Sequence, residues 1–134
     1  RFNIVGSRPS EKVLNLASME GISVTGSVPD VRPYLKHATV VVAPMHIARG
    51  IQNKVLEAMA MAKPVVVTTM GLEGINAIHD KEIMVADSAA GFVYELAAVF
   101  KGGKVSALGE AARDLVCKDF SWDNTLQKLD QWLT

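Results

Sequence analysis

Five short runs of β-branched and aliphatic residues punctuate the chain, at 2–5, 22–25, 39–43, 64–68 and 83–86. Each is apolar nearly throughout rather than alternating, the pattern of strands covered on both faces. Between the runs the apolar spacing becomes helical. Val13, Leu16, Ala17 and Glu20 follow the first run, and Ile51, Val55, Ala58, Met59 and Ala62 fall on one helical face after the third. Alternating strands and helices predict a parallel, doubly wound α/β sheet, Rossmann-like, with flanking helices.

The last third reads as helix alone. Phe92, Leu96, Val99 and Phe100 make one apolar stripe, stopped by Gly102 and Gly103. Val105, Leu108, Ala112, Leu115 and Val116 make a second. A third begins at Ser121, a good N-cap, and runs through Trp122, Leu126, Leu129 and Leu133. All three stripes are expected to pack into the core. No repeat, low-complexity tract or interdomain linker interrupts the pattern.

Composition narrows the class. The chain has 134 residues, 49% hydrophobic and 21% charged, with a formal net charge of zero. That suits a single globular unit and argues against disorder and against a general nucleic-acid binder, which would be basic. No apolar run approaches the ~18 residues of a membrane helix, and no secretory signal opens the chain. The lone Cys117 excludes an internal disulfide and a cysteine-rich zinc site and points to a reducing, cytoplasmic setting, with Cys117 itself in buried packing. Zero charge hides an asymmetry. Residues 1–67 carry eight basic side chains against four acidic, whereas residues 68–134 carry six against ten. An anionic ligand belongs with the first half.

In open α/β sheets ligands collect beyond the carboxyl ends of the strands, so the strand-exit loops matter most. A dinucleotide fold would want G-x-G-x-x-G after the first strand, where only Gly6 stands, and an acidic residue closing the second, which ends Thr25-Gly26. A phosphorylated receiver would need carboxylates where the first and third strands end in Gly6 and Pro44. The third exit is the informative one. Gly50 allows close backbone approach, and the helix after it offers free N–H groups from Ile51, Gln52 and Asn53, an anion site by geometry and dipole. Arg49 and Lys54 add full charges within a turn. Glu57, one to two turns in, suits a pair of vicinal hydroxyls such as a ribose presents, or simply faces solvent beside Lys54 or Lys63. Of the other polar residues, His37, His46 and His79 read as surface histidines and Asp87 as a helix N-cap. No His, Asp or Glu spacing suggests a metal site.

The stretch 50–64, Gly-Ile-Gln-Asn-Lys-Val-Leu-Glu-Ala-Met-Ala-Met-Ala-Lys-Pro, followed by Val-Val-Val, resembles the nucleotide-sugar signature of GT-B glycosyltransferases of family 4. Within these it is most similar to sugar transferases of bacterial exopolysaccharide systems. Supporting stretches stand in the family's order: Ile4-Val5-Gly6, residues 24–35 around Gly26-Ser27-Val28-Pro29-Asp30, Gly71-Leu72-Glu73-Gly74-Ile75 and Phe120-Ser121-Trp122.

The resemblance implies the donor-binding, C-terminal domain of a retaining hexosyltransferase. It would move sugar from a nucleoside diphosphate to a glycan or lipid-linked acceptor, with no cofactor besides the donor and no metal. Glu57 corresponds to the second glutamate of the E-x7-E motif, which holds the donor ribose. The first glutamate falls at Arg49, a departure that shifts this position from sugar contact toward the diphosphate. Arg49 and Glu57 are thus the implied catalytic pair. Gly50, Ile51 and Gln52 match the diphosphate turn through their N–H groups, with Asn53 and Lys54 beside them. Val28 matches the segment that meets the base, and Gly6 the floor of the cleft. Two alternatives stay open, a GT-B-type nucleotide-sugar epimerase and a non-catalytic nucleotide-binding module.

The resemblance begins at what matches the domain's second strand, so residues 1–134 are expected to be part of that domain and inactive alone. In the strand order 3-2-1-4-5-6 the strand left out is central, and the runs 2–5 and 39–43 would border it. They are expected to close up directly or to accept a strand from another chain, a route to self-association. Peripheral association with the inner face of a membrane is compatible with such an acceptor.

Overall fold

The computed structural model describes residues 1–102 and 105–133, so Gly103 of the expected glycine stop lies outside the described residues. Five parallel strands form, one in each apolar run, and helices occupy the segments between and after them. They fall into two compact units, Arg1–His37 and Ala38–Thr134.

In the first unit β1 (Phe2–Ile4) pairs in parallel with β2 (Ile22–Val24), Phe2 opposite Ile22 and Ile4 opposite Val24. The crossover helix α1 (Glu11–Asn15) is capped by Ser10, whose hydroxyl accepts the Val13 N–H at 3.4 Å, and it ends in a short 3-10 turn. Asp30 introduces α2 (Arg32–His37). Its carboxylate accepts the Arg32 N–H at 2.9 Å and meets the Arg32 guanidinium at 2.8–3.0 Å. Expected cover on both faces fails for β1, where Phe2 is 46% exposed. This strand pairs along one edge only, with β2, and so small a unit has little interior to offer.

The second unit holds β3 (Val41–Ala43), β4 (Val65–Val67) and β5 (Met84–Val85) in the order β3-β4-β5. Central β4 is sealed, with Val65, Val66 and Val67 all at 0% exposure, as a double-sided parallel strand should be. The two orders, β1-β2 and β3-β4-β5, are the two parts expected of the doubly wound series. Direct closure of 2–5 on 39–43 is not realised, since β1 and β3 belong to different sheets. Pairing has gone to strands consecutive in the chain, joined by one local crossover each.

The crossover α3 (Asn53–Ala60) buries Val55, Ala58 and Met59. It ends in a Schellman motif. The Lys63 N–H reaches the Ala58 carbonyl at 3.1 Å and the Ala62 N–H the Met59 carbonyl at 2.9 Å, with Ala62 left-handed at φ +55. Alanine there carries a Cβ penalty of about 1 kcal/mol, so Ala62→Gly is expected to raise the unfolding free energy by about that amount in a urea titration. Helix α4 (Ala89–Phe100) follows β5, and α5 (Val105–Asp119) lies on α3. Val66, Met84, Ala86, Val99 and Leu108 make one buried cluster, flanked by Phe92, Leu96 and Val105.

The third stripe departs from expectation. Helix α6 (Trp122–Leu133) forms, but Trp122 is 79% exposed, Leu133 83%, and Leu126 and Leu129 are about half exposed. Periodicity fixes which face of a helix is apolar, not whether anything covers it. Phe100 ends the first stripe at 68% exposure for the same reason, and Cys117 is exposed, away from the Leu108–Ala112 face of α5. Leu126→Ser should therefore change stability by no more than about 0.5 kcal/mol, whereas Leu108→Ala should cost about 2–4 kcal/mol. Equal losses in chemical denaturation would contradict this assignment. Among the described residues no helix is long and apolar enough to cross a membrane.

Candidate functional site

Beyond β3 the chain turns through Pro44, Met45 and His46 to Arg49 and Gly50, then enters α3. Gly50 takes φ +67, a conformation that suits glycine. Gln52 serves as the N-cap residue without a side-chain cap bond. Its amide instead donates to the Gly50 carbonyl at 3.0 Å and the Arg49 carbonyl at 3.4 Å, closing the turn. The helix begins at Asn53, one or two residues later than the expected donors Ile51 and Gln52 imply, so the helix-end N–H groups proper are those of Asn53 and Lys54. Val55 and Leu56 already donate to the Gln52 carbonyl, at 3.0 and 3.3 Å. Among the described residues, none of the backbone N–H groups from Gly50 to Lys54 donates to the protein. Five adjacent donors are thereby left to solvent or a ligand.

Charge surrounds this turn. Arg49 and Lys54 are exposed, and Lys54 Nζ lies 3.4 Å from Met45 Sδ. Glu57 is exposed as well, off the Val55–Ala58–Met59 face, four residues or about 6 Å along the axis from Asn53. His46 is exposed in the same loop. The remaining expected site residues, Gly6 and Val28, belong to the first unit. There the Gly6 N–H donates to the Gly26 carbonyl at 3.3 Å, tying the first exit loop to the second, and Val28 is half-buried.

Support for the turn comes from the fourth exit, whose residues 71–75 already carry part of the family resemblance, and from Thr68, to which no spacing points. Buried Thr68 donates its hydroxyl to the Met45 carbonyl at 2.6 Å and accepts the Gly71 N–H at 3.1 Å. Gly74, at φ +79, packs so close to Ile51 that a Cβ would stand 2.7 Å from Ile51 Cγ1. The fourth exit is itself held by the fifth. Asp87 accepts the Thr69 hydroxyl at 2.6 Å and the Thr69 N–H at 2.8 Å. The expected N-cap role of Asp87 passes to Ser88, whose hydroxyl accepts the Gly91 N–H at 3.1 Å. Its partner Thr69 is distant in sequence, so the only available signal was its place in a strand-exit loop.

The Thr69 hydroxyl, then the Thr69 amide, hold Asp87 below the ordinary aspartate range. A carboxylate with a lowered folded pKa contributes stability that is complete above its unfolded value and is lost as pH falls through the folded one. Acid unfolding below about pH 4 should therefore be blunted in Asp87→Asn relative to wild type. Parallel acid limbs for the two proteins, in denaturant midpoints measured from pH 5 downward, would contradict the clamp.

The profile of the glycosyl transferases group 1 family matches residues 1–102. No curated protein matches the chain significantly. Among solved structures, a glycosyltransferase from Rickettsia africae superposes with a TM-score of 0.79 at 20% identity, covering 98% of this chain and 39% of that one. Sucrose-phosphate synthase from Thermosynechococcus elongatus gives 0.82 at 19% identity, covering 98% and 37%. HepE of Anabaena, solved with UDP, gives 0.78 at 14% identity, covering 98% and 40%. The chain thus spans about two fifths of each of these structures, and at such identities the likeness is one of fold, the GT-B arrangement of parallel strands and flanking helices. Family membership rests on the match over residues 1–102: the chain belongs to the glycosyl transferases group 1 family.

Proposed function

We propose that residues 49–57 hold the diphosphate and ribose of a nucleoside-diphosphate sugar. The chain would then be the donor-binding part of a retaining hexosyltransferase of family 4, building a polysaccharide. The observation that carries this reading is the run of five undonated N–H groups from Gly50 to Lys54 at the start of α3. A helix N-terminus favours phosphate by dipole and by directed hydrogen bonds. Arg49 and Lys54 supply the charge, and Glu57 stands about one turn further along, a ribose's distance from a diphosphate seated on the turn. In transfer, negative charge grows on the departing diphosphate, and fixed N–H donors with an adjacent arginine stabilise charge of that kind without reorganising. Arg49, where a motif glutamate is expected, is assigned to the diphosphate side. The UDP bound to HepE is in keeping with such a donor. The acceptor would be a glycan or lipid-linked sugar, bound outside these residues, so the 134 residues alone are expected to bind donor without transferring sugar.

A thermal-shift screen of the full-length protein against UDP-, GDP-, ADP- and dTDP-sugars tests the proposal. At a donor concentration of 100 times Kd, stabilisation of about 2.7 kcal/mol is expected. No shift with any of the four would remove the donor site from consideration.

A further inference from the structure

Strand β4 runs out into a buried hydroxyl. Val65, Val66 and Val67 are sealed from solvent, and Thr68 follows them, also buried. Valine has the same branched shape and would continue the apolar run, whereas a buried hydroxyl is unfavourable unless it is hydrogen-bonded. Thr68 uses its hydroxyl in both directions, and neither partner lies in a strand. It donates to the Met45 carbonyl at 2.6 Å, in the third exit loop, and accepts the Gly71 N–H at 3.1 Å, in the fourth. Thr25, in the corresponding place after β2, only donates to the carbonyl of its neighbour Gly26, at 2.9 Å, and links no two loops.

Met45 is thereby held by its carbonyl, and its side chain is seated as well. Gly71 is buried against it, and a Cβ built at Gly71 would stand 3.3 Å from Met45 Cγ and 2.7 Å from Val67 Cγ2. The thioether beyond Cγ accepts the Lys54 ammonium, with Nζ 3.4 Å from Sδ. Among the described residues no carboxylate lies within ion-pair reach of Lys54. A thioether is a weak, uncharged acceptor. It holds an ammonium in place without neutralising it and gives it up readily to an anion, where a carboxylate would cancel its charge.

We propose that Thr68 and Met45 are positioning residues for the donor diphosphate and act through Lys54, an inference that rests on reading residues 49–57 as the donor site. Thr68 fixes the Met45 backbone, Gly71 leaves room for the Met45 side chain, and the sulfur draws Lys54 from α3 onto the third exit loop, the loop that leads into the turn. A lysine that a ligand must order by itself loses much rotamer freedom on binding. Here part of that ordering precedes the ligand, so the same charge binds diphosphate more tightly than an unguided lysine would.

The test is a calorimetric titration of the full-length protein with UDP, GDP, ADP and dTDP. Thr68→Val keeps the shape and drops the hydroxyl, and it should weaken the tightest of the four by about five- to tenfold. Thr68→Ser should restore most of that affinity. Met45→Leu keeps the carbonyl but lacks the sulfur, so it should match Thr68→Val, and it serves if that variant does not fold. In a Lys54→Ala background neither substitution should change affinity by more than about twofold. Wild-type affinity in either folded variant, no rescue by Thr68→Ser, or an undiminished loss in the Lys54→Ala background would overturn the proposal and leave the donor site standing. A wild-type protein that binds none of the four nucleotides overturns the donor site and this proposal together.

Discussion

Gly109→Ala is expected to destabilise the protein by about 2–3 kcal/mol, lowering Tm by roughly 8 °C. In an exposed helix the same change stabilises by about 1 kcal/mol, so the sign of the effect is itself diagnostic. Gly109 lies in the middle of α5, where it is buried against the end of α3. A Cβ built there would stand 2.1 Å from the Ala62 carbonyl oxygen and 2.8 Å from the Ala62 carbonyl carbon. Backbone is what it meets, and backbone cannot swing aside as the tip of a side chain can. Ala62 is moreover fixed by the Schellman bonds that end α3. Helix α5 would have to lift from α3, loosening Leu108 and Ala112, which are 8% and 0% exposed. Urea denaturation of the two proteins measures the difference, and a stabilised variant would show that the helices do not approach each other as described.

Glu57→Ala is expected to weaken donor binding by about 10- to 100-fold while changing stability by less than about 0.5 kcal/mol. The affinity estimate follows from losing one or two charge-assisted hydrogen bonds to ribose hydroxyls, each worth roughly 1.5–3 kcal/mol. The stability estimate follows from exposure, since Glu57 stands off the buried face of α3. A double-mutant cycle separates the ribose role from a general loss of negative charge. Wild type should lose affinity for a 2′,3′-dideoxy nucleotide relative to the ribonucleotide. In Glu57→Ala that difference should largely vanish. Retention of the full difference in the variant would assign the ribose to other residues.

These two predictions differ in how far the sequence announces them. The turn at 50–57 is legible because its features are local. A glycine, a helix start and a carboxylate on the polar face can be phased from spacing alone, and the structure moves the helix start only to Asn53. The strands are legible where burial is two-sided, as in Val65–Val67, and misleading where a run of the same composition forms the exposed strand β1. What spacing cannot supply is anything carried between distant segments. Asp87 beside a helix start looks like a cap, yet its partner Thr69 is 18 residues away and Ser88 takes the cap. Gly109 gives no hint of Ala62, and the stripe of α6 does not reveal its exposure.

Where a nucleoside diphosphate touches the chain is the central question. Titrating the isotope-labelled full-length protein with UDP, GDP, ADP and dTDP, and following backbone amide signals, answers that question. The donor-site assignment predicts saturable shifts, for at least one of the four, that are largest at Gly50, Ile51, Gln52, Asn53 and Lys54 and that extend to Glu57. Saturable binding that leaves these amides unmoved would contradict it.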